Sequence, residues 1–183
     1  MNIKKTANLL INFTTNRLAE ILGILIFSGG ILLLIALITY SPEDPNFVFP
    51  ENTKIKNIFG YRGSFISDLF LQSFGFISYF ISFTLIFSGI NIFRLKDFFL
   101  IIENIFFSIL YLICGTLFLS FFYTDEFILY INGNGGFVGS YLNSTFLNSL
   151  IQINETISYY MLLLLIFFLF LISINFHVIK FFQ

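Results

Sequence analysis

The chain has 183 residues, of which 57% are hydrophobic and 10% charged, and nine Lys+Arg against ten Asp+Glu leave a net charge of −1. Ordinary soluble domains carry about 25% charged residues, and a fold of this size keeps roughly a third of its unfolded surface in water. A mean hydropathy of +0.92 therefore excludes a soluble globular domain and a disordered tail, and the near-neutral balance leaves no basic footprint for direct nucleic-acid binding.

Cys114 is the sole cysteine and His177 the sole histidine, which excludes an internal disulfide and a cysteine-based zinc cluster. No catalytic, cofactor-binding or metal-binding residues are expected. The reading is an all-α integral membrane protein, because lipid admits only helices or closed barrels and the apolar runs lack the period-2 alternation of barrel strands.

A helix needs about 20 mostly apolar residues to cross a hydrocarbon core of about 30 Å. Four stretches qualify, at about 21–39, 74–93, 98–122 and 158–179. The first follows Lys4, Lys5 and Arg17, as a signal peptide would. Its apolar run exceeds the usual 7–15 or so, and no A-x-A-like site follows before Pro42, so it reads as a retained helix. The second is expected to extend backwards as an amphipathic segment from Ser64 to Gln72, with Asp68 and Gln72 one turn apart at the interface.

The outer loops are the other informative segments. Ser41-Pro42-Glu43-Asp44-Pro45 stops the first helix in an extended turn. Gly60 and Gly63 bracket Tyr61 and Arg62 before the chain returns to the membrane. In the second loop, Asn132-Gly133-Asn134-Gly135-Gly136 lacks the Gly-Lys-Ser/Thr of a phosphate cradle and reads as a flexible turn. From Phe137 the apolar Val138, Tyr141, Leu142, Phe146, Leu150 and Ile153 recur at helical spacing, opposite Asn143, Ser144, Asn148 and Gln152. This predicts an interfacial or re-entrant amphipathic helix, too polar to span. Two Asn-x-Thr triplets, at Asn143 and Asn154, would matter only in a eukaryotic secretory setting.

Lys and Arg set the orientation. With the N-terminus cytoplasmic, Lys4, Lys5, Arg17, Arg94, Lys96 and Lys180 are inside, and Lys54, Lys56 and Arg62 are outside. Both termini are expected in the cytoplasm. Tyr40, Tyr61, Tyr123 and the pair Tyr159/Tyr160 then fall at the outer ends of the spans, where a headgroup belt belongs.

Small residues mark helix contacts, because lipid supplies no hydrophobic drive for association. Gly75, Ser78, Ser82 and Gly89 form one expected stripe in the second span; Ala19, Gly23 and Gly30, with Gly29 and Ala36 beside them, form another in the first. The third span offers Ser108 and Gly115, and the fourth has no small residue from Met161 to Leu171, so it should face lipid more widely. Glu20 is placed to pair with Arg17, and Glu103 to reach Arg94 or Lys96. Tyr79, Thr84, Tyr111, Cys114 and Thr116 are the buried polar candidates, read as interhelical hydrogen-bonding groups.

Taken in order, Tyr40, Ser41, Pro42, Asp44 and Pro45, then Gly60, Gly63, Asp68, Gly75 and Tyr79, then Gly135, Gly136 and Gly139, resemble the four-helix N-terminal membrane domain of the FtsK/SpoIIIE family of bacterial DNA translocases. The resemblance covers about Leu18 to Ile179 and departs at Asn46, where a small residue is expected. It implies a single membrane domain over 1–183, without the family's cytoplasmic linker, motor and DNA reader. It further implies a homo-hexameric anchor in the bacterial inner membrane at the division septum, in contact with other division proteins. The competing readings are a small transporter or channel subunit, and a generic four-helix interaction protein. Against transport stand the absence of charge in mid-span and of paired half-helices.

Overall fold

The computed structural model describes residues 3–45, 54–124 and 132–175 and is all-helical. The order is α1 (Ile3–Ile38), α2 (Gly60–Phe74), a 3-10 turn (Gly75–Ile77), α3 (Ser78–Leu95), α4 (Phe99–Phe122), α5 (Gly136–Asn143), α6 (Phe146–Ile153) and α7 (Glu155–Ser173). Four stretches are long and apolar enough to cross a membrane: Leu9–Ile38, Gly60–Leu95, Phe99–Phe122 and Glu155–Ser173. The four expected spans are all present. The first starts earlier than expected, and the fourth begins three residues earlier, with residues 176–179 of its expected end outside the described part. Asn46, Asp125, Glu126 and His177 also lie outside it.

The bundle is built around an α1–α3 pair whose backbones nearly touch. A Cβ on Gly89 would lie 2.5 Å from the Phe27 nitrogen, one on Gly23 2.7 Å from the Phe93 nitrogen, and one on Gly30 2.8 Å from the Ile86 nitrogen. Small residues thus do here what they do in lipid generally, which is to let dispersion act between main chains. Ala19, Ser78, Ser82 and Ile92 are all fully buried. Gly75 departs from the expected stripe. It sits in the 3-10 turn with φ 60° and ψ −146°, a conformation open only to glycine, so it breaks the second span instead of packing it.

α7 joins by other means. Only 17% of its most apolar stretch is buried, against 28–39% in the other spans, as its lack of small residues predicts. Aromatic rings replace close approach. Phe118 lies 5.1 Å from Tyr159, and Phe170 lies 4.8 Å from Phe80 and 5.9 Å from Tyr111, centroid to centroid. Polar side chains then tie α3, α4 and α7 together. Thr84 Oγ1 is 3.0 Å from the Tyr111 hydroxyl and 3.3 Å from Ser173 Oγ. Asn104 donates to Ser88 Oγ at 2.7 Å and accepts from Asn175 at 2.5 Å, while Asn91 donates to the Ile174 carbonyl. Such bonds are worth roughly 0.6–2 kcal/mol each in membranes, enough to fix register where no glycine stripe does.

At the end where α3 turns into α4, Lys96 adopts a left-handed conformation that closes the helix onto the Ile92 carbonyl. Its ammonium pairs with Glu20 at 2.7 Å, and Arg17 pairs with the other Glu20 oxygen at 2.5 Å. The Arg17–Glu20 pair is as expected; Lys96 goes to Glu20, not to Glu103, which is exposed on α4.

Candidate functional site

The opposite end of the bundle carries the family-motif residues, and they meet in one hydrogen-bonded cap. The extended turn after α1 folds back on itself. Asp44, 1% exposed, accepts from the backbone N–H groups of Lys56 at 2.8 Å and Asn57 at 2.9 Å. Charge-assisted bonds of this kind are about twice as strong as neutral ones. Asn57 donates to the Ala36 carbonyl at 2.9 Å, so the far side of the loop is pinned to the last turn of α1, whose carbonyls have no helical partner. Ser64 donates to the Pro45 carbonyl at 3.0 Å. Gly63 fits because a Cβ there would overlap the Asn57 side chain. On the exposed rim Glu43 pairs with Lys56, which lowers the glutamate pKa and raises the lysine's.

α2 leads from this knot to the second one. Its buried residues are Gly63, Ser64, Ser67, Asp68 and Leu71, while Tyr61, Ile66 and Leu69 are exposed. The small and polar face therefore turns toward the protein and the apolar face turns outward, the reverse of a soluble amphipathic helix. Tyr40 donates to Asp68 at 3.1 Å, and Tyr79 donates to the Leu37 carbonyl at 3.1 Å. Burial, reinforced by the Asp68 carboxylate, pushes the Tyr40 phenol well above its ordinary value.

The second knot forms around the glycine-rich loop. The Asn134 carbonyl occupies the place a Gly75 Cβ would take, and it accepts from the Phe76 N–H at 3.1 Å. Asn134 is 1% exposed and donates to the Tyr123 carbonyl. Gly136, at φ 67°, lies on the Ser73–Gly75 backbone, and Gly135 and Gly139 face Thr116 and Ser120 of α4 too closely for any side chain. Asn132 bonds to Gln72, and Asn143 to the Ser120 carbonyl. The described part of this loop is thus a packed element, not the flexible turn the sequence suggests.

Two further expectations change here. The single amphipathic helix after Phe137 is two helices, because Thr145 caps a new one by accepting from the Leu147 N–H at 3.3 Å. Thr116 bonds to carbonyls of its own helix rather than across helices. Tyr79, Thr84 and Tyr111 do bond across helices. Gly115 packs against Ile77, while Gly60, with φ 62°, has open space where a Cβ would go. Of the tyrosine belt, Tyr123 and Tyr159 bond to each other at 2.8 Å, and Tyr61 and Tyr160 are exposed.

Asn57, Asn134, Asn91 and Asn104 were not singled out by sequence reasoning. An Asn flanked by glycines, as in Asn132-Gly133-Asn134-Gly135, is the one local sign of a turn held by side-chain bonds to the backbone.

Comparison with known proteins supplies the context for this cap. The family described as the 4TM region of DNA translocase FtsK/SpoIIIE matches residues 15–183. The DNA translocase FtsK of Rhizobium meliloti (strain 1021) is 30% identical over 69 residues, which is 38% of this chain and 8% of that protein. The chain thus matches a small part of that relative's length. No solved structure matches the chain. The matched region includes most of the first span, the other three spans and the whole cap, and on that ground the chain belongs to the 4TM-region family of the FtsK/SpoIIIE DNA translocases.

Proposed function

We propose that this chain is the membrane anchor of an FtsK-like DNA translocase and a scaffold for the division machinery at the septum, linking chromosome segregation to division. The observation that carries this reading is the cap. Asp44, Asn57, Gly63, Asp68, Gly75, Asn134, Gly136 and Gly139, from four separate segments and all buried, hold the outer loops in a close-packed, hydrogen-bonded cap at one end of a bundle matched to the family over 15–183. A domain that only held a motor to lipid would need the spans and not this cap. Both termini are then cytoplasmic and the cap is extracytoplasmic, which agrees with six Lys+Arg on the inner side against three on the outer. Residues 1–183 act as one four-helix membrane unit, in contact with lipid and with other division proteins, and assemble as the homo-hexamer the family resemblance implies. Motor and DNA reading belong to another part of such a translocase.

The test is a fluorescent fusion at residue 183 expressed in dividing bacteria. The reading predicts a septal band for the wild type and an even membrane signal for Asp44→Ala, at equal abundance. An even signal for the wild type refutes the scaffold role. An active alkaline phosphatase fused at residue 183 refutes the cytoplasmic termini.

A further inference from the structure

An apolar groove of about 460 Å³ runs between α1 and α2, along Gly29, Leu33 and Ala36 on one side and Arg62, Ile66 and Phe70 on the other. Gly29 opens its floor, since a Cβ there would meet no atom within 4 Å, whereas neighbouring Gly30 is closed off by α3. The wall is almost wholly apolar: Arg62, the one charged residue among the lining residues, contributes its aliphatic stem, is exposed, and has no ion-pair partner among the described residues.

The depth of the groove follows from the cap. Asn57 holds the segment before α2 against the Ala36 carbonyl, and Asp68 meets Tyr40 just beyond the end of α1. Arg62, in the first turn of α2, lies between these two anchors, which places it at the cap end of the groove, where the spans end. Gly29 is seven residues below Ala36 along α1, about 10 Å deeper at 1.5 Å per residue. The groove thus presents a cation at the membrane surface and a bare apolar trough leading into the hydrocarbon. A guanidinium at that boundary, without an ion-pair partner among the described residues, favours an anionic partner, and a planar fork matches a phosphate in bidentate geometry.

We propose that this groove binds one anionic phospholipid of the leaflet at the cap end. Its phosphate rests on Arg62 and one acyl chain lies along Gly29 and Leu33. The lipid fills the outward side of the α1–α2 contact, whose inward side is held by the polar residues of α2. This does not depend on which machine the domain anchors.

The experiment is native mass spectrometry of the full chain released from micelles containing equal amounts of phosphatidylglycerol and phosphatidylcholine. The wild type is expected to retain one phosphatidylglycerol per chain and several-fold less phosphatidylcholine. Arg62→Gln is expected to retain several-fold less phosphatidylglycerol. Gly29→Leu, which fills the trough, is expected to do the same with a melting temperature no lower than the wild type's. If Arg62→Gln melts early, Arg62→Lys replaces it and should give intermediate retention. Equal retention by wild type and both variants overturns the proposal. So does a Gly29→Leu chain that keeps its lipid but loses self-association, because the groove would then seat a second copy.

Discussion

Replacing Gly30 by alanine adds one methyl group between α1 and α3. Its carbon would lie 2.8 Å from the Ile86 nitrogen and 2.9 Å from Leu85 Cβ. Carbon-to-heavy-atom contacts settle at about 3.5 Å or more, so the helices must part by about 0.7 Å, a gap that forfeits a quarter to a half of each dispersion well. Overpacking of this kind costs about 1–3 kcal/mol. Alanine also has a better helix propensity than glycine, by about 1 kcal/mol, which blurs a single measurement. Gly29→Ala removes that ambiguity. It makes the same chemical change one residue away, where the added methyl meets nothing within 4 Å. The propensity gain cancels in the comparison, so the difference between the two variants is the packing cost alone. For a chain of this length, 1 kcal/mol moves a melting midpoint by roughly 2–4 °C. Gly30→Ala should therefore melt about 2–12 °C below Gly29→Ala, followed by helical circular dichroism in detergent. If Gly30→Ala melts with or above Gly29→Ala, the α1–α3 close approach is wrong.

Three other outcomes follow from the packing and the cap. Ser82 is fully buried and its hydroxyl has no hydrogen-bond partner among the described groups, so Ser82→Leu should cost about 1–3 kcal/mol through overpacking. Leu163→Phe, at a position 43% exposed on α7, should cost far less; equal melting of the two would show that Ser82 is not at a helix contact. Asp44→Ala removes the acceptor of two backbone N–H groups and should lower stability by about 1.5–3 kcal/mol, with protease cleavage near Lys56 as a second readout; unchanged cleavage would contradict the loop geometry. The Tyr40 phenol is pushed above its ordinary value because it is half-buried beside Asp68. The stability from its neutral form is complete below the unfolded value of about 10 and is lost as pH rises beyond it. Between about pH 9 and 11 the wild type should lose more melting temperature than Tyr40→Phe, and parallel losses would place Tyr40 in water.

Much of this architecture was legible because membrane helices leave coarse marks. The four apolar runs needed only length and hydropathy, and Gly23, Gly30 and Gly89 marked faces of close helix contact because only small residues admit that approach; that they join α1 to α3 came from the structure. Gly75 was grouped with them by spacing alone; its positive φ depends on the Asn134 carbonyl, which comes from a loop 59 residues away and leaves no local trace. The break between α5 and α6 was hidden for a similar reason. Apolar spacing runs on from Leu142 to Phe146, while the cap at Thr145 acts through a single hydroxyl. Asn91 and Asn104 escaped notice because a search for charge in the spans passes over amides. In lipid an amide with a partner still ties helices together, at roughly 0.6–2 kcal/mol per bond. Phe80, Phe118 and Phe170, which dock α7, carry no sequence mark that separates them from the other phenylalanines of the spans.

The central claim is that these 183 residues can serve as the anchor of an FtsK-like translocase. The most direct measurement is replacement. In bacteria lacking the membrane domain of their own FtsK-like translocase, this chain is fused ahead of that protein's remaining part, and cell length and the position of the fusion are recorded. Restored division with the fusion at septa is the predicted result. Filamentous cells, with the fusion stable and spread evenly through the membrane, would contradict the account.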